Sequence, residues 1–140
     1  MKTLIDANVL VAVLNKEYPV FSNAARVLSL AGKQGFELYA TPMSLAIAFY
    51  FSSKKSGAVQ AKKKLAILKE HILTAVIDDN AVNSALTNKS IHDFEDGMQY
   101  YAALEVGCRC IVTEDRDDFY YSTIDVVSCE GFLKKYYFNT

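Results

Sequence analysis

Asp6, Asp96 and Asp115 are the side chains of this 140-residue chain whose type and placement can do chemistry together. Asp6 closes a short apolar run, Thr3-Leu4-Ile5. Asp115 follows a second run of the same design, Cys110-Ile111-Val112-Thr113. Asp96 falls in the first turn of the helix that leads into that second run. Carboxylates brought together repel one another unless a cation neutralises them. An oxygen-only donor set with no His or Cys points to a hard divalent ion, Mg²⁺ or Mn²⁺. Magnesium keeps several waters and takes one or two protein carboxylates plus substrate phosphate, so three acids suffice. An ion so held activates a water and stabilises the charge that develops on a phosphodiester. The plainer readings are that Asp6 is a helix cap or turn residue and that Asp93, Glu95 and Asp96 favour a helix N-terminus, at roughly 0.3–1 kcal/mol per charge.

The elements that must position these acids follow from the pattern of apolar residues. Short buried runs read as parallel strands at residues 3–5, 36–40, 73–77, 108–113 and 124–127. Helices are expected from Ala7, with Asn8 as a candidate cap, and over 22–31, 43–52, 58–72 and 80–86. Two more are expected, one opened by the Ser90-Ile91-His92-Asp93 capping box and stopped by Gly107, the other over 129–138. Thr41-Pro42 is a helix start, Thr as the cap and Pro in the first turn. Strand and helix alternate, so the expected fold class is α/β: one domain over residues 1–140, with a central parallel sheet of about five strands flanked by helices on both faces. Acids at strand ends then share the carboxyl edge of the sheet, where such folds place ligands. The helix over 43–52 is apolar almost all round, which predicts one face on the sheet and the other on a partner chain. Lys62-Lys63-Lys64 read as a solvated face before a phosphate-binding one.

Composition narrows the classes. A net charge of −1 gives no global pull toward nucleic acid or membrane, so any nucleic-acid contact must be local. The apolar run after Lys2 is too short for a signal peptide, and no segment reaches the roughly 18 apolar residues that span a bilayer. The three cysteines, Cys108, Cys110 and Cys129, lack the partners of a zinc site and read as core thiols in a reducing cytoplasm. The Cys-x-Cys pair is expected on one face of its strand. There is no Gly-rich phosphate loop and no nucleophile elbow. His92 lies near Asp96, as a substrate contact or a surface residue.

Four segments, LIDANVL (residues 4–10), TPMSLAIAFYF (41–51), DFEDGMQYYAALEVG (93–107) and IVTEDRDDF (111–119), together resemble the PIN domain, the small Mg²⁺-dependent nuclease fold of VapC-like toxins. The family's first acid falls on Asp6, its helix-start acid on Asp96, its late Thr-x-Asp on Thr113 and Asp115, and the following Asp-Phe on Asp118-Phe119. The resemblance implies a homodimeric endoribonuclease, the toxin of a toxin–antitoxin pair, neutralised by a small antitoxin protein. In this reading Asp6, Asp96 and Asp115 ligate Mg²⁺ or Mn²⁺ and carry catalysis, and Asn8, Thr113 and Asp118 order that site by hydrogen bonds. Lys54, Lys55 or Arg116 contact phosphate, and Tyr120 or Tyr121 stacks on a base. One position departs: the family's glutamate in the helix after the second strand falls on Ile47. The alternative is therefore a PIN-like module that binds RNA or protein without catalysis. A receiver-type signalling domain also gathers acids at a strand edge, but its acidic pair and late lysine are not evident.

Overall fold

A computed structural model describes residues 1–138 of the chain. Five parallel strands, β1 (Lys2–Ile5), β2 (Glu37–Ala40), β3 (Leu73–Thr74), β4 (Cys110–Val112) and β5 (Asp125–Val127), lie in the order β3-β2-β1-β4-β5. Seven α-helices accompany them among the described residues: α1 (Ala7–Leu14), α2 (Val20–Leu28), α3 (Pro42–Ser56), α4 (Ala58–Lys69), α5 (Asp79–Thr87), α6 (Phe94–Val106) and α7 (Cys129–Phe132). The last is extended by a wider π-type turn, Leu133–Tyr137. The chain builds outward from β1 through β2 to β3, then crosses back to add β4 and β5 on the other side. The order therefore reverses between β1 and β4, and a crevice opens there at the carboxyl ends of the strands. The register pairs Thr3 with Cys110, Leu4 with Ile111 and Ile5 with Val112, so the residues that follow both strands emerge side by side.

Alternation along the strands divides the core in two. Ile5, Leu38, Cys110 and Val112 face the helices α1, α2, α4 and α7, while Leu4 and Ile111 face Tyr100 and Ala103 of α6 together with Phe119. Among the described residues no helix is long and apolar enough to cross a membrane.

Several expectations are corrected locally. The third strand pairs over two residues, not five, because it is the exposed edge of the sheet; one further bond, Ala75 N–H to the Ala40 carbonyl (2.9 Å), prolongs it. The cap of α1 is Asp6, not Asn8, which lies inside the helix. The cap of α6 is Asp93, whose Oδ1 accepts from the Glu95 and Asp96 amides at 2.9 and 3.2 Å; Ser90 stays in the loop before it. Cys108 and Cys110 do not share a face: β4 begins only at Cys110, so Cys108 packs with the α6 cluster and Cys110 with the opposite one. All three cysteines are buried and free. In α3 the residues turned inward are small, Ser44, Ala48 and Ser52, at four-residue spacing. They let its backbone approach α1, leaving Tyr50 and Phe51 exposed.

Candidate functional site

The helix cap that begins α1 is also the best-held carboxylate of the chain. Asp6 ends β1, where its amide still bonds to the Val112 carbonyl at 3.0 Å, and it is 7% exposed. Its Oδ1 accepts from the Ala7 amide at 2.7 Å and from Gln99 Nε2 at 3.0 Å. Its Oδ2 accepts from Thr113 Oγ1 at 2.8 Å, with a longer approach by Asn8 Nδ2 at 3.5 Å. Donors from the loop after β4 and from α6 thus fix one carboxylate at the strand crossover.

The loop after β4 is tied to the same point. Thr113 is fully buried; its hydroxyl donates to Asp6 and accepts from Asn8 Nδ2 at 3.1 Å and from the Asp115 amide at 3.0 Å. Asn8 Nδ2 also donates to Asp115 Oδ2 at 3.2 Å, and its Oδ1 accepts the Glu114 amide at 3.2 Å. Asn8 and Thr113 therefore link Asp6 to Asp115. Behind them Gln99, 2% exposed, accepts from Ser44 Oγ at 2.7 Å while donating to Asp6, which joins α3 and α6 through the same carboxylate.

These groups form the floor of an open cleft of about 420 Å³. Seven carboxylates line it, those of Asp6, Glu17, Asp93, Glu95, Asp96, Asp115 and Asp118, with no Lys, Arg or His among the lining residues. The electrostatic consequence is direct. Burial, and then the negative charges of Asp93, Asp6, Asp118 and Glu95, push the Asp96 carboxyl up to about 7. Asp118 is raised by burial and by Asp115, Asp6, Asp93 and Asp117. Such a cluster favours a cation or held protons.

The structure brings Asp6, Asp96, Asp115, Asn8 and Asp118 to one cleft. It places Lys54, Lys55 and Arg116 outside the lining: Lys54 Nζ sits over the Tyr50 ring at 4.6 Å, Lys55 Nζ bonds the Asn15 carbonyl, and Arg116 is exposed on a 3₁₀ turn over Arg116–Phe119. Ile47, half-buried, forms part of the apolar wall with Val11 and Phe51. Glu114 instead accepts the Cys129 amide at the start of α7 at 2.9 Å, beside the Ser128 cap. Two contributors are additional to the sequence reading. Gln99 follows Asp96 by three residues on the same helix face, a spacing visible in the sequence. Glu17, just past α1, carries no local signal.

The donor set suits a hard divalent ion in kind: oxygen ligands, high negative charge and no competing base. Among the described residues no three His, Cys, Asp or Glu groups are gathered tightly enough to hold an ion by themselves. An ion here would complete its shell with water and substrate oxygens, as magnesium commonly does.

The fold agrees with comparisons to known proteins. A PIN domain profile matches residues 2–117, and the chain belongs to the PIN domain family. It is 29% identical, over 147 aligned positions that cover 96% of this chain and 95% of the relative, to ribonuclease VapC1 of Aquifex aeolicus. Among solved structures it resembles VapBC2 from Rickettsia felis bound to a promoter DNA fragment. There the TM-score is 0.69 at 17% identity, covering 91% of this chain and 98% of that one. It also resembles VapC20 of Mycobacterium tuberculosis, a toxin that cleaves the sarcin–ricin loop, with a TM-score of 0.62 at 13% identity over 78% and 86% of the two chains.

Proposed function

We propose that this protein is a Mg²⁺- or Mn²⁺-dependent endoribonuclease that hydrolyses RNA phosphodiesters, and that it is the cytoplasmic toxin of a toxin–antitoxin pair. The observation that carries the reading is the cleft of seven carboxylates without a basic residue, centred on an Asp6 held by fixed donors. Asp6, Asp96 and Asp115 hold the ion directly or through water. A bound ion supplies an activated water and stabilises charge on the phosphate. The chain's own part is to hold the carboxylates still. Thr113 and Gln99 each fix one oxygen of Asp6, and Asn8 keeps Asp115 beside it, so little reorganisation is needed when an ion and a phosphate enter. Likeness to a VapBC complex supports a small antitoxin partner. The exposed Tyr50 and Phe51 of α3 support a homodimer.

The test is cleavage of structured RNA, tRNA included, by purified protein with Mg²⁺ or Mn²⁺, beside Asp6→Asn and Asp96→Asn. Metal-dependent fragmentation that both variants abolish is the expected result. Ile47 on the cleft wall supports the second reading, a PIN-like binding module, which would bind RNA or a protein partner without cutting under any metal.

A further inference from the structure

The cleft contains no cation to grip RNA, and Lys54 and Lys55 are engaged elsewhere. With Arg116 also outside the lining, base stacking is a source of binding energy that needs no positive charge in the cleft. A ladder of aromatic rings stands at its margin. The His92 ring stacks on Tyr120, with centroids 5.8 Å apart and planes at 29°. Tyr120 in turn meets Tyr121 edge-on at 5.2 Å. The rings come from two elements that both enter the cleft: His92 directly precedes Asp93, and Tyr120 lies two residues after Asp118.

The outer part of this ladder is built and open. The Tyr120 hydroxyl donates to the Ser90 carbonyl, which fixes the ring against the loop before α6, yet Tyr120 remains 56% exposed. His92 is exposed, and its ring nitrogens have no hydrogen-bond partner among the described residues. Both rings of the stack are exposed, so it is open to solvent. Held, exposed aromatic rings beside an oxygen-ligand cleft suit an unpaired base, because every nucleobase offers a π-face and single-stranded RNA can splay its bases outward.

We infer that the His92–Tyr120 stack is the nucleobase platform of the site: it stacks on the base of a nucleotide next to the phosphate that enters the acidic cleft, and so selects single-stranded loops. This inference rests on the nuclease reading for the identity of its ligand. His92 adds the stacking surface and Tyr120 positions it.

The experiment is steady-state cleavage of a short single-stranded oligoribonucleotide in Mg²⁺, paired with quenching of a 2-aminopurine base in the same oligonucleotide with Ca²⁺ in place of Mg²⁺. His92→Ala should raise KM about ten-fold with kcat within about two-fold, and weaken quenching to match. His92→Phe, which keeps a flat ring, should restore both. Tyr120→Leu, which removes the supporting ring, should reproduce the His92→Ala effect. Unchanged KM and quenching in His92→Ala, or a defect that His92→Phe does not repair, would overturn the inference. The two readings fail separately. Cleavage that needs Asp6 but not His92 removes the platform and keeps the nuclease. Quenching that needs His92, in a protein that cuts nothing, keeps the platform and removes the nuclease.

Discussion

Replacing Asp96 by Asn should flatten the stability of this protein against pH, by an amount that follows from the crowding in the cleft. Asp96 moves from an ordinary 3.8 to about 7 because burial and then Asp93, Asp6, Asp118 and Glu95 oppose its ionisation. A carboxyl whose folded value lies above its unfolded one binds more protons in the folded state between those two values. Stability therefore falls as pH rises from about 4 to about 7 and stays low above that. At about 1.4 kcal/mol per pH unit, the full shift corresponds to an upper bound of about 4 kcal/mol. The group is half-buried in an open cleft, and screening by water reduces this to about 1–2 kcal/mol. Asp96→Asn keeps the shape and removes the charge, so at pH 8 it should be more stable than wild type by that amount, a rise in Tm of roughly 3–8 °C. Near pH 4 the two proteins should converge. Urea denaturation of both at half-unit steps from pH 4 to 8 measures the difference. Adding Mg²⁺ should raise the wild-type Tm more at pH 8 than at pH 5, and raise that of Asp96→Asn less. Parallel pH profiles for wild type and variant would mean that no repulsion is stored at Asp96.

Three other perturbations follow from the same geometry. Gln99→Leu fills its volume but strips Asp6 Oδ1 of a donor and leaves the buried Ser44 hydroxyl without its acceptor; unfolding by urea should show a loss of about 2–4 kcal/mol. Thr113→Val removes the donor to Asp6 Oδ2 and the acceptor for Asn8 and the Asp115 amide. Mn²⁺ affinity and RNA cleavage should each fall about 10- to 100-fold. Ile47→Glu adds a carboxylate to the cleft wall. It should lower the Tm in chelator and increase the gain in Tm on adding Mg²⁺, with an unchanged gain arguing that this wall does not face the ion.

Much of the architecture could be read along the chain because its signals are local. The apolar runs before Asp6 and Thr113 look like buried strands and are, and their parallel pairing brings the following residues together. Thr41-Pro42 starts α3 and Gly107, at φ +88°, ends α6. What escaped depends on contacts between distant segments. Over residues 43–51 of α3 nearly every position but Ser44 is apolar, so periodicity cannot say that Ser44, Ala48 and Ser52 face inward; that choice follows from how close α1 lies. Gln99 becomes notable only when Asp6, 93 residues away, is beside it. Glu17 enters the cleft through a turn after α1 that has no recognisable pattern. Ser90 and Asp93 both suit a helix cap, and Asp93 prevails because its Oδ1 reaches two amides of the first turn.

Whether the acidic cleft is a metal centre is measured by a Mn²⁺ titration of the purified protein at pH 8, read by electron paramagnetic resonance of the free ion, with Asp6→Asn and Asp96→Asn in parallel. Saturable binding by the wild-type protein that weakens at least ten-fold in each variant is the expected result. Equal binding by all three proteins, or none by the wild type, would contradict the assignment of this cleft as a metal centre.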